Sequence, residues 1–358
     1  MSYYSKRLER LKKYWINSSK AFLLIKEDFI ANNNLRYITN FSGSIGIFLQ
    51  TENENFLFVD TRYWERAEAE VFKEIKVVRK NFINIKEILK EFKIKSLMID
   101  NTLTYLRYKQ IKKLKVNLRV SDAISQLRKV KDKNEIKILK KAQKITDKIF
   151  INLLDFIKAG KSTEREIALK IYELANYYGC DSLSFDPIIV SGKNSSMPHY
   201  KTSNYKIEKD NVLLIDFGVK YKGYVSDMTR TIWIGNNVSN EFKRAYNVVS
   251  NAQDLAISEC KFKNKKLASE IHKKVINFIN TTEFKNKFLH GTGYGIGLDI
   301  HELPYLNSRS KDVLVGNEVV TIEPGIYLEG KFGIRIEDVI ITKSGKKLSK
   351  STKDMVIL

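Results

Sequence analysis

The sequence predicts an α+β protein with a smaller α/β domain first and a larger repeat of helix pairs and acidic hairpins after it. Three observations predict this fold. The chain of 358 residues is longer than one typical domain. Short apolar strands alternate with helices over roughly the first 120 residues. In the remainder, two helices followed by an acidic hairpin occur twice. We place the domain boundary between residues 125 and 126, beside the charged segment 127–133.

The first domain, residues 1–125, begins with an amphipathic helix over residues 1–15, where Leu8, Leu11 and Trp15 recur at helical spacing. Asp60 stands where a helix cap is expected. We find no catalytic constellation in this domain, so we look for function in the second. The strands predicted here are Ala21–Ile25, Ile45–Gln50, Asn55–Val59 and Leu97–Asp100, and the helices are Arg62–Phe72 and Ile83–Phe92.

The second domain, residues 126–358, contains two predicted helix pairs. The first helix runs from Asp132 to about Ile157 with its apolar residues on one face, and the second begins at Ser162–Glu164 and continues to about Tyr178. A strand is expected at Phe185–Val190. His272 lies among lysines, and we expect it at the surface. The second pair of helices is predicted at Asn240–Glu259 and Lys266–Thr281.

The first acidic hairpin consists of strands Val212–Val219 and Tyr224–Ile232, joined by a turn through Tyr221–Gly223. Asp216 and Asp227 lie at equal distances on either side of this turn. In an antiparallel ladder, residues at such positions face each other with their side chains only a few Å apart.

The second acidic hairpin repeats the arrangement. Strands Val319–Tyr327 and Phe332–Ile341 turn near Gly330, with Glu323 and Glu337 placed symmetrically on either side. The two hairpins have different sequences but the same pattern. We therefore expect two halves related by a pseudo-twofold axis, with the four carboxylates meeting between them.

Like charges opposed among Ile, Val and Leu are costly unless a carboxylate is protonated or a cation lies between them. Four such carboxylates indicate a divalent metal site, because hard oxygen ligands suit Mn²⁺, Mg²⁺, Co²⁺ or Fe²⁺, with Zn²⁺ as an alternative. The competing interpretation is two ordinary hairpins whose acids point to solvent. That interpretation explains either hairpin alone better than it explains both together.

A glycine-rich stretch, residues 290–304, precedes the second hairpin. It resembles a dinucleotide loop, but Ile296 and Leu298 stand where the third glycine of that motif belongs. We interpret its glycines as allowing close backbone approach to a ligand. A lone loop histidine is usually a surface residue, yet His199, His290 and His301 all lie before or between the hairpins. This placement favours a catalytic role for them.

Composition narrows the function classes. The net charge is +22, but lysines are spread along the whole chain, which is typical of an AT-rich genome, so nucleic-acid binding is not expected. No apolar run approaches the length of a membrane span, and the charged N-terminal residues do not read as a signal peptide. Two cysteines without metal-site spacing fit reduced thiols in a cytoplasm.

These motifs resemble the pita-bread metallopeptidases, in particular the Xaa-Pro aminopeptidase and prolidase branch. The resemblance covers the whole chain, with a creatinase-type N-terminal domain and a pita-bread catalytic domain. It implies a hydrolase, commonly a homodimer, acting on peptides with proline at the second position. The matching segments are Ser184–Ile188, Met197–His199, Asp216–Gly218, Ser226–Thr231, Glu323–Gly325 and Gly333–Asp338.

The resemblance also implies residue roles. Asp216, Asp227, Glu323 and Glu337 would hold two divalent ions, with Mn preferred and Co, Fe or Zn as alternatives. Asp227 and Glu337 would bridge the ions, and a water activated by them would be the nucleophile. The remaining roles are proton transfer by Glu323, contacts with substrate and intermediate by His199 and His301, and lining or ordering of the site by His290 and Arg335.

One residue departs from the family pattern. Tyr294 stands where the family has the histidine that is the fifth metal ligand. A phenol is normally protonated near neutral pH. A dication can remove that proton, and phenolate suits Fe³⁺ or Mn better than zinc. Tyrosine is also longer than histidine. Either Tyr294 is a ligand in a retuned centre, or one metal site is weakened or lost.

Three functions remain open at this point. The first is an aminopeptidase that cleaves the Xaa-Pro bond, with a Xaa-Pro dipeptidase as its close variant. The second is a catalytically impaired pita-bread protein that binds peptides or partners, which the substitution at Tyr294 would allow. The third is a metal-free enzyme acting on a small amidine-containing substrate, which would have no need of four acids.

Overall fold

The computed structural model describes residues 3–28, 33–81 and 83–358. The chain divides into two compact units, Met1–Arg128 and Lys129–Leu358. Within the described ranges, every helix falls short of the combination of length and hydropathy that crossing a bilayer requires.

The first unit contains a mixed sheet flanked by helices. Its strands are β1 (Ala21–Lys26), β2 (Gly46–Thr51), β3 (Asn55–Val59), β4 (Lys76–Arg79), β5 (Ser96–Asp100) and β6 (Asn117–Ser121). They lie in the order β4-β3-β2-β1-β5-β6, and β1 pairs antiparallel with β2 but parallel with β5. The helices are α1 (Tyr3–Trp15), α2 (Asn34–Thr39), α3 (Trp64–Glu70), α4 (Ile85–Glu91), α5 (Tyr105–Lys112) and α6 (Ala123–Lys129).

The predictions for the elements of this unit with a clear apolar or capping pattern are confirmed. Leu8, Leu11 and Trp15 are buried on one face of α1. The Asp60 side chain accepts a hydrogen bond from the Arg62 backbone N–H at 3.0 Å, as expected of a cap. The prediction missed β4, β6, α2, α5 and α6. The two missed strands are the outermost in the sheet and are largely exposed, so they lack the apolar run that marks an inner strand.

In the second unit, two helix pairs begin and end close to their predicted positions. Asp132 and Glu135 form a capping box at the start of the first helix, and Thr163 and Glu166 form one at the start of the second. These boxes explain why both helix starts could be predicted. The helices are α7 (Lys133–Phe156), α8 (Glu164–Tyr177), α9 (Asn240–Glu259) and α10 (Ala268–Asn280).

The strands of this unit form two main sheets and three small ones. They are β7 (Ser182–Leu183), β8 (Ile188–Ser191), β9 (Asn211–Phe217), β10 (Val219–Tyr221), β11 (Tyr224–Val225), β12 (Met228–Ile234), β13 (Lys266–Leu267), β14 (Gly293–Gly295), β15 (Glu302–Leu306), β16 (Val313–Leu314), β17 (Val319–Ile322), β18 (Gly325–Leu328), β19 (Phe332–Arg335), β20 (Asp338–Ile341) and β21 (Lys346–Lys347). The main sheets have the orders β12-β9-β8 and β15-β14-β17-β20-β21, and the small ones are β11-β10-β7, β18-β19 and β13-β16.

Each half of the second unit packs a helix pair on a hairpin. In the first half, Ile145 of α7 and Ile171 of α8 share a core with Ile215 of β9. In the second half, Val249 of α9 shares a core with Val320 of β17, as do residues of α10 and β20. This is the predicted repeat. Burial of each large aliphatic side chain contributes roughly 1.5–3 kcal/mol, so the two cores hold the hairpins firmly.

The register of the first hairpin corrects one prediction. Tyr221 lies opposite Tyr224, and continuing this register places Asp216 opposite Thr229. The expected opposition of Asp216 and Asp227 is therefore wrong, because the turn is centred one residue later than predicted. Asp227 is instead displaced by two residues from the position opposite Asp216. Such diagonal neighbours on one face still lie within reach of each other.

The second hairpin has the predicted symmetry. Its two ladders, β17 with β20 and β18 with β19, keep one register on either side of a short break. Continuing that register through the break places Glu323 opposite Glu337. Both acids thus lie where the strands separate.

Two other predictions are wrong. His272 is buried, because it follows Ala268 by four residues and precedes Val275 by three on the apolar face of α10. Its Nδ1 lies 3.0 Å from the Thr292 hydroxyl. The strand predicted from Phe185 begins only at β8, after Pro187, which has no N–H to donate to a ladder.

Candidate active site

Three carboxylates meet inside the second unit. One oxygen each of Asp216, Asp227 and Glu337 can be chosen so that all lie within 4.8 Å of one another. Asp216 is near the end of β9, whereas Asp227 and Glu337 immediately precede β12 and β20. Glu323 follows β17, and its carboxylate lies 4.0 Å from Arg335 Nε. The two hairpins thus bring together three of the four acids that the sequence singled out, and Glu323 lies beside the Arg335 that pairs with Asp216.

Each carboxylate of this cluster has one oxygen bonded to a protein donor and one without a partner. The bonded oxygens are Asp216 Oδ2, Asp227 Oδ2 and Glu337 Oε2. Their donors are, in the same order, Arg335 Nη2 at 2.5 Å, the Tyr294 hydroxyl at 2.7 Å and the Thr229 hydroxyl at 2.8 Å. The second oxygens, Asp216 Oδ1, Asp227 Oδ1 and Glu337 Oε1, are buried without any hydrogen-bond partner.

The cluster is electrostatically strained without a cation. Burial raises the pKa of Asp227 well above its usual value, and the neighbouring Glu337 and Asp216 raise it further. Burial, followed by repulsion from Asp216, raises the pKa of Glu337 to about 8. The pKa of Glu323 is raised by burial and by Glu337. Buried oxygens without donors rarely persist in proteins. This donor set fits a hard divalent cation.

Arg335 orients the cluster from one side. Its buried guanidinium donates from Nε to the Thr229 hydroxyl at 3.2 Å and from Nη1 to the Tyr327 hydroxyl at 2.8 Å, in addition to its bond with Asp216. All three of these nitrogens therefore have partners. Sequence reasoning assigned no role to Thr229 or Tyr327. Thr229 lies inside a matched segment, whereas nothing in the sequence marks Tyr327.

His290 is held in one neutral tautomer. Its Nδ1 lies 2.9 Å from the Gly291 carbonyl oxygen, which only accepts, so Nδ1 carries the hydrogen. Its Nε2 lies 2.8 Å from the Tyr327 hydroxyl and therefore accepts from it. Burial, and then the nearby Arg335 charge, lower the pKa of His290 to about 3. His290 thus anchors the Arg335 network and stays neutral.

A cavity of about 510 Å³ opens beside the cluster. His199 and His301 lie on its exposed rim. Partial desolvation at this rim lowers the pKa of His301 below its usual value. The predicted site residues that line the cavity are His199, Asp216, His290, Tyr294, His301, Glu323 and Arg335. The two remaining predicted ligands, Asp227 and Glu337, are buried next to Asp216 and do not line it.

The glycines around Tyr294 serve strand packing. A Cβ on Gly293 would lie 1.9 Å from the Thr321 carbonyl oxygen, and one on Gly295 would lie 2.3 Å from that of Leu303. Gly291 and Gly293 also line the cavity, so their approach to a ligand stays a prediction, and the close approach seen at Gly293 and Gly295 is to neighbouring backbone. It fixes β14 against its neighbours and points Tyr294 at Asp227.

The buried carboxylate cluster has unpaired oxygens and lies beside a cavity with two exposed histidines. Together with the repeat of helix pairs and hairpins, this is the site expected of a pita-bread metallohydrolase. Sequence comparison agrees with this class. Residues 137–344 match the metallopeptidase family M24, and residues 7–130 match the creatinase/prolidase N-terminal domain. The chain belongs to the M24 metallopeptidases, in their Xaa-Pro peptidase branch, and is a hydrolase.

Individual relatives span almost the whole chain. An Xaa-Pro dipeptidase of Pyrococcus furiosus is 36% identical, with 98% of this chain and 99% of the relative covered. The solved structure of an Xaa-Pro dipeptidase from Bacillus anthracis has a TM-score of 0.92 at 34% identity, covering 99% of this chain and 100% of that one. An X-Pro aminopeptidase from Thermotoga maritima has a TM-score of 0.89 at 31% identity, covering 98% and 100%.

Proposed function

We propose that this protein is a metal-dependent aminopeptidase that hydrolyses the bond between the first residue and a proline at the second position. The observation that carries the proposal is the set of unpaired oxygens on Asp216, Asp227 and Glu337, next to a cavity rimmed by His199 and His301. The cavity volume of about 510 Å³ lies within the range of small-ligand sites, roughly 300–1,000 Å³.

The four acids would hold divalent metal, with Mn preferred and Co, Fe or Zn as alternatives. Bound divalent ions supply Lewis-acid activation of water and neutralise developing negative charge. Glu323 has the most exposed side chain of the four, at 13%, and faces the cavity. We assign to it the transfer of a proton from the attacking water to the proline nitrogen as the C–N bond breaks. His199 and His301 would contact the peptide and the tetrahedral intermediate.

The shortage of free cationic groups in the cavity favours peptides longer than two residues. A dipeptide places its C-terminal carboxylate inside the cavity, where a free guanidinium or ammonium group would normally bind it. Among the described residues that line this cavity, Arg335 is the sole Arg or Lys, and its guanidinium already donates to Thr229, Tyr327 and Asp216. The Xaa-Pro dipeptidases among the relatives make dipeptide cleavage the second candidate.

A peptide panel with added Mn²⁺ tests the proposal. We expect release of free alanine from Ala-Pro-Ala and from longer Ala-Pro peptides, little cleavage of the dipeptide Ala-Pro, and none of Ala-Ala-Ala. Excess chelator should stop the reaction. Faster cleavage of Ala-Pro than of Ala-Pro-Ala would favour the dipeptidase. Metal binding without turnover on any of these peptides would support the impaired, peptide-binding alternative.

Two further expectations remain predictions. A homodimer is expected by analogy with the family, and size-exclusion chromatography with light scattering tests it. A cytoplasmic location is expected from the cysteines, since Cys180 and Cys260 are both free thiols. Cell fractionation tests it.

A further inference from the structure

We propose that Tyr294 makes this a centre for a single metal ion, because its hydroxyl occupies the Asp227 oxygen that a second ion would need. This inference rests on the proposed metallopeptidase function and concerns the same site. The inference follows from which oxygens of the three clustered carboxylates have no hydrogen-bond partner.

A carboxylate that bridges two ions gives one oxygen to each of them. Asp227 has only Oδ1 free, because Oδ2 accepts the Tyr294 hydroxyl at 2.7 Å. Asp216 likewise has only Oδ1 free, because Arg335 holds its Oδ2 at 2.5 Å. With Glu337 Oε1, three buried oxygens are left, one from each acid. One ion can use all three, with Glu323 beside them.

Tyr294 is held where its hydroxyl meets Asp227. Its backbone N–H donates to the Thr321 hydroxyl at 3.1 Å, and it pairs with Tyr305 across β14 and β15. Its ring meets that of His301 edge to face, with centroids 4.2 Å apart and planes at 78°. These contacts fix both the main chain and the ring. They hold the hydroxyl at Asp227 Oδ2.

Tyrosine and histidine at position 294 have opposite effects on metal binding. A phenol donates its hydrogen to a carboxylate and so competes with a cation for the same oxygen. A neutral imidazole has an unprotonated nitrogen that binds metal directly. Tyr294→His should therefore free Asp227 Oδ2 and also add a ligand. Tyr294→Phe should free Asp227 Oδ2 without adding a metal ligand.

Manganese binding to the full-length protein tests the inference without relying on activity. Metal-free wild type and variants are dialysed to equilibrium against MnCl₂, and bound Mn is measured by elemental analysis and electron paramagnetic resonance. We expect one Mn per wild-type chain, with the spectrum of an isolated ion. Tyr294→His should bind two spin-coupled ions, and Tyr294→Phe should bind the second more weakly than Tyr294→His.

Tyr172→Phe is the matched control. Tyr172 also donates its hydroxyl to a carboxylate, Asp186 Oδ1 at 2.8 Å, outside the cluster. This variant should still bind one Mn, and the thermal unfolding of each metal-free variant verifies that it is folded.

Several outcomes would overturn the inference. Two Mn per wild-type chain would do so, as would one Mn in both Tyr294 variants. If Tyr294→His binds two and Tyr294→Phe one, the missing ligand and not the hydroxyl sets the number. An Fe³⁺ charge-transfer band in wild type that Tyr294→Phe lacks would make Tyr294 a ligand. Two Mn with peptide cleavage refutes only this inference, whereas no Mn and no cleavage refutes the proposed function.

Discussion

Arg335 Nη2 and Asp216 Oδ2 lie 2.5 Å apart in the buried wall of the cavity. This ion pair turns the second oxygen of Asp216, Oδ1, away from any protein donor and leaves it buried and unpaired. A guanidinium therefore selects which oxygen is available to a cation. In the same way, the neutral hydroxyls of Tyr294 and Thr229 each hold one oxygen of Asp227 and Glu337 and leave the other oxygen unpaired.

Replacing Arg335 with Gln should lower both stability and Mn²⁺ affinity. Breaking a buried ion pair by removing one partner typically costs about 3–5 kcal/mol, since the other charge stays buried. Urea unfolding measures the stability, and equilibrium dialysis measures the affinity. Arg244→Gln is the control, because the Arg244 pair with Glu283 at 2.7 Å is exposed and should contribute little. Equal effects of the two substitutions would contradict the assigned role.

The metal-free protein should lose stability as the pH rises from about 5 to about 8. The folded-state pKa values of Asp227, Glu323 and Glu337 are raised, that of Glu337 to about 8, by burial and mutual repulsion. The folded state then holds protons that unfolded carboxyls, with pKa values of about 4, have released. The free energy of unfolding therefore falls with increasing pH.

Thermal unfolding in chelator across this interval measures the effect. Saturating Mn²⁺ should remove the fall, because the cation replaces the protons. Glu337→Gln should make the fall shallower in the metal-free protein. A slope that the substitution leaves unchanged would show that these carboxyls do not hold the protons.

Tyr327→Phe should destabilise the protein by about 1–3 kcal/mol, the cost of leaving buried polar groups unsatisfied. The Tyr327 hydroxyl joins Arg335 Nη1 and His290 Nε2, each at 2.8 Å. Urea unfolding measures the change. Tyr177→Phe, at a residue that is 79% exposed, should be nearly neutral. Comparable stability of both variants would show that this network carries no stabilising bond.

His301→Ala and His199→Ala should each lower kcat by roughly 10²–10⁴-fold, the range typical of a positioned proton-transfer or hydrogen-bonding group. Both side chains line the cavity but belong to no part of the carboxylate cluster. Bound Mn should therefore not change. Steady-state kinetics on Ala-Pro-Ala and elemental analysis separate these effects. A loss of bound Mn together with the loss of activity would show that these histidines bind metal and contradict a role in substrate contact.

Much of the fold could be predicted because the elements that carry strong local signals dominate it. Capping boxes at Asp132 and Thr163 mark two helix starts, because their side chains accept hydrogen bonds from the first free backbone N–H groups. The second hairpin has one register throughout, so its symmetry could be predicted from the positions of Glu323 and Glu337. Edge strands such as β4 and β6 were not predicted, because exposed strands lack the apolar pattern of inner strands.

The site was predictable in its acids and less so in its geometry. A shift of one residue in the centre of a turn moves every pairing by two, and for this reason Asp216 lies opposite Thr229 and not Asp227. His272 was misplaced because the lysines beside it face away from the apolar stripe it shares. The network of Thr229 and Tyr327 depends on long-range contacts, which local sequence does not encode.

Anomalous diffraction from Mn²⁺-soaked crystals, recorded at the manganese edge, tests the central claim most directly. We predict a peak bonded to oxygens of Asp216, Asp227 and Glu337, with Glu323 beside it and the cavity open in front. The absence of a peak there at saturating Mn²⁺, or strong peaks confined to acids at the surface, would contradict it.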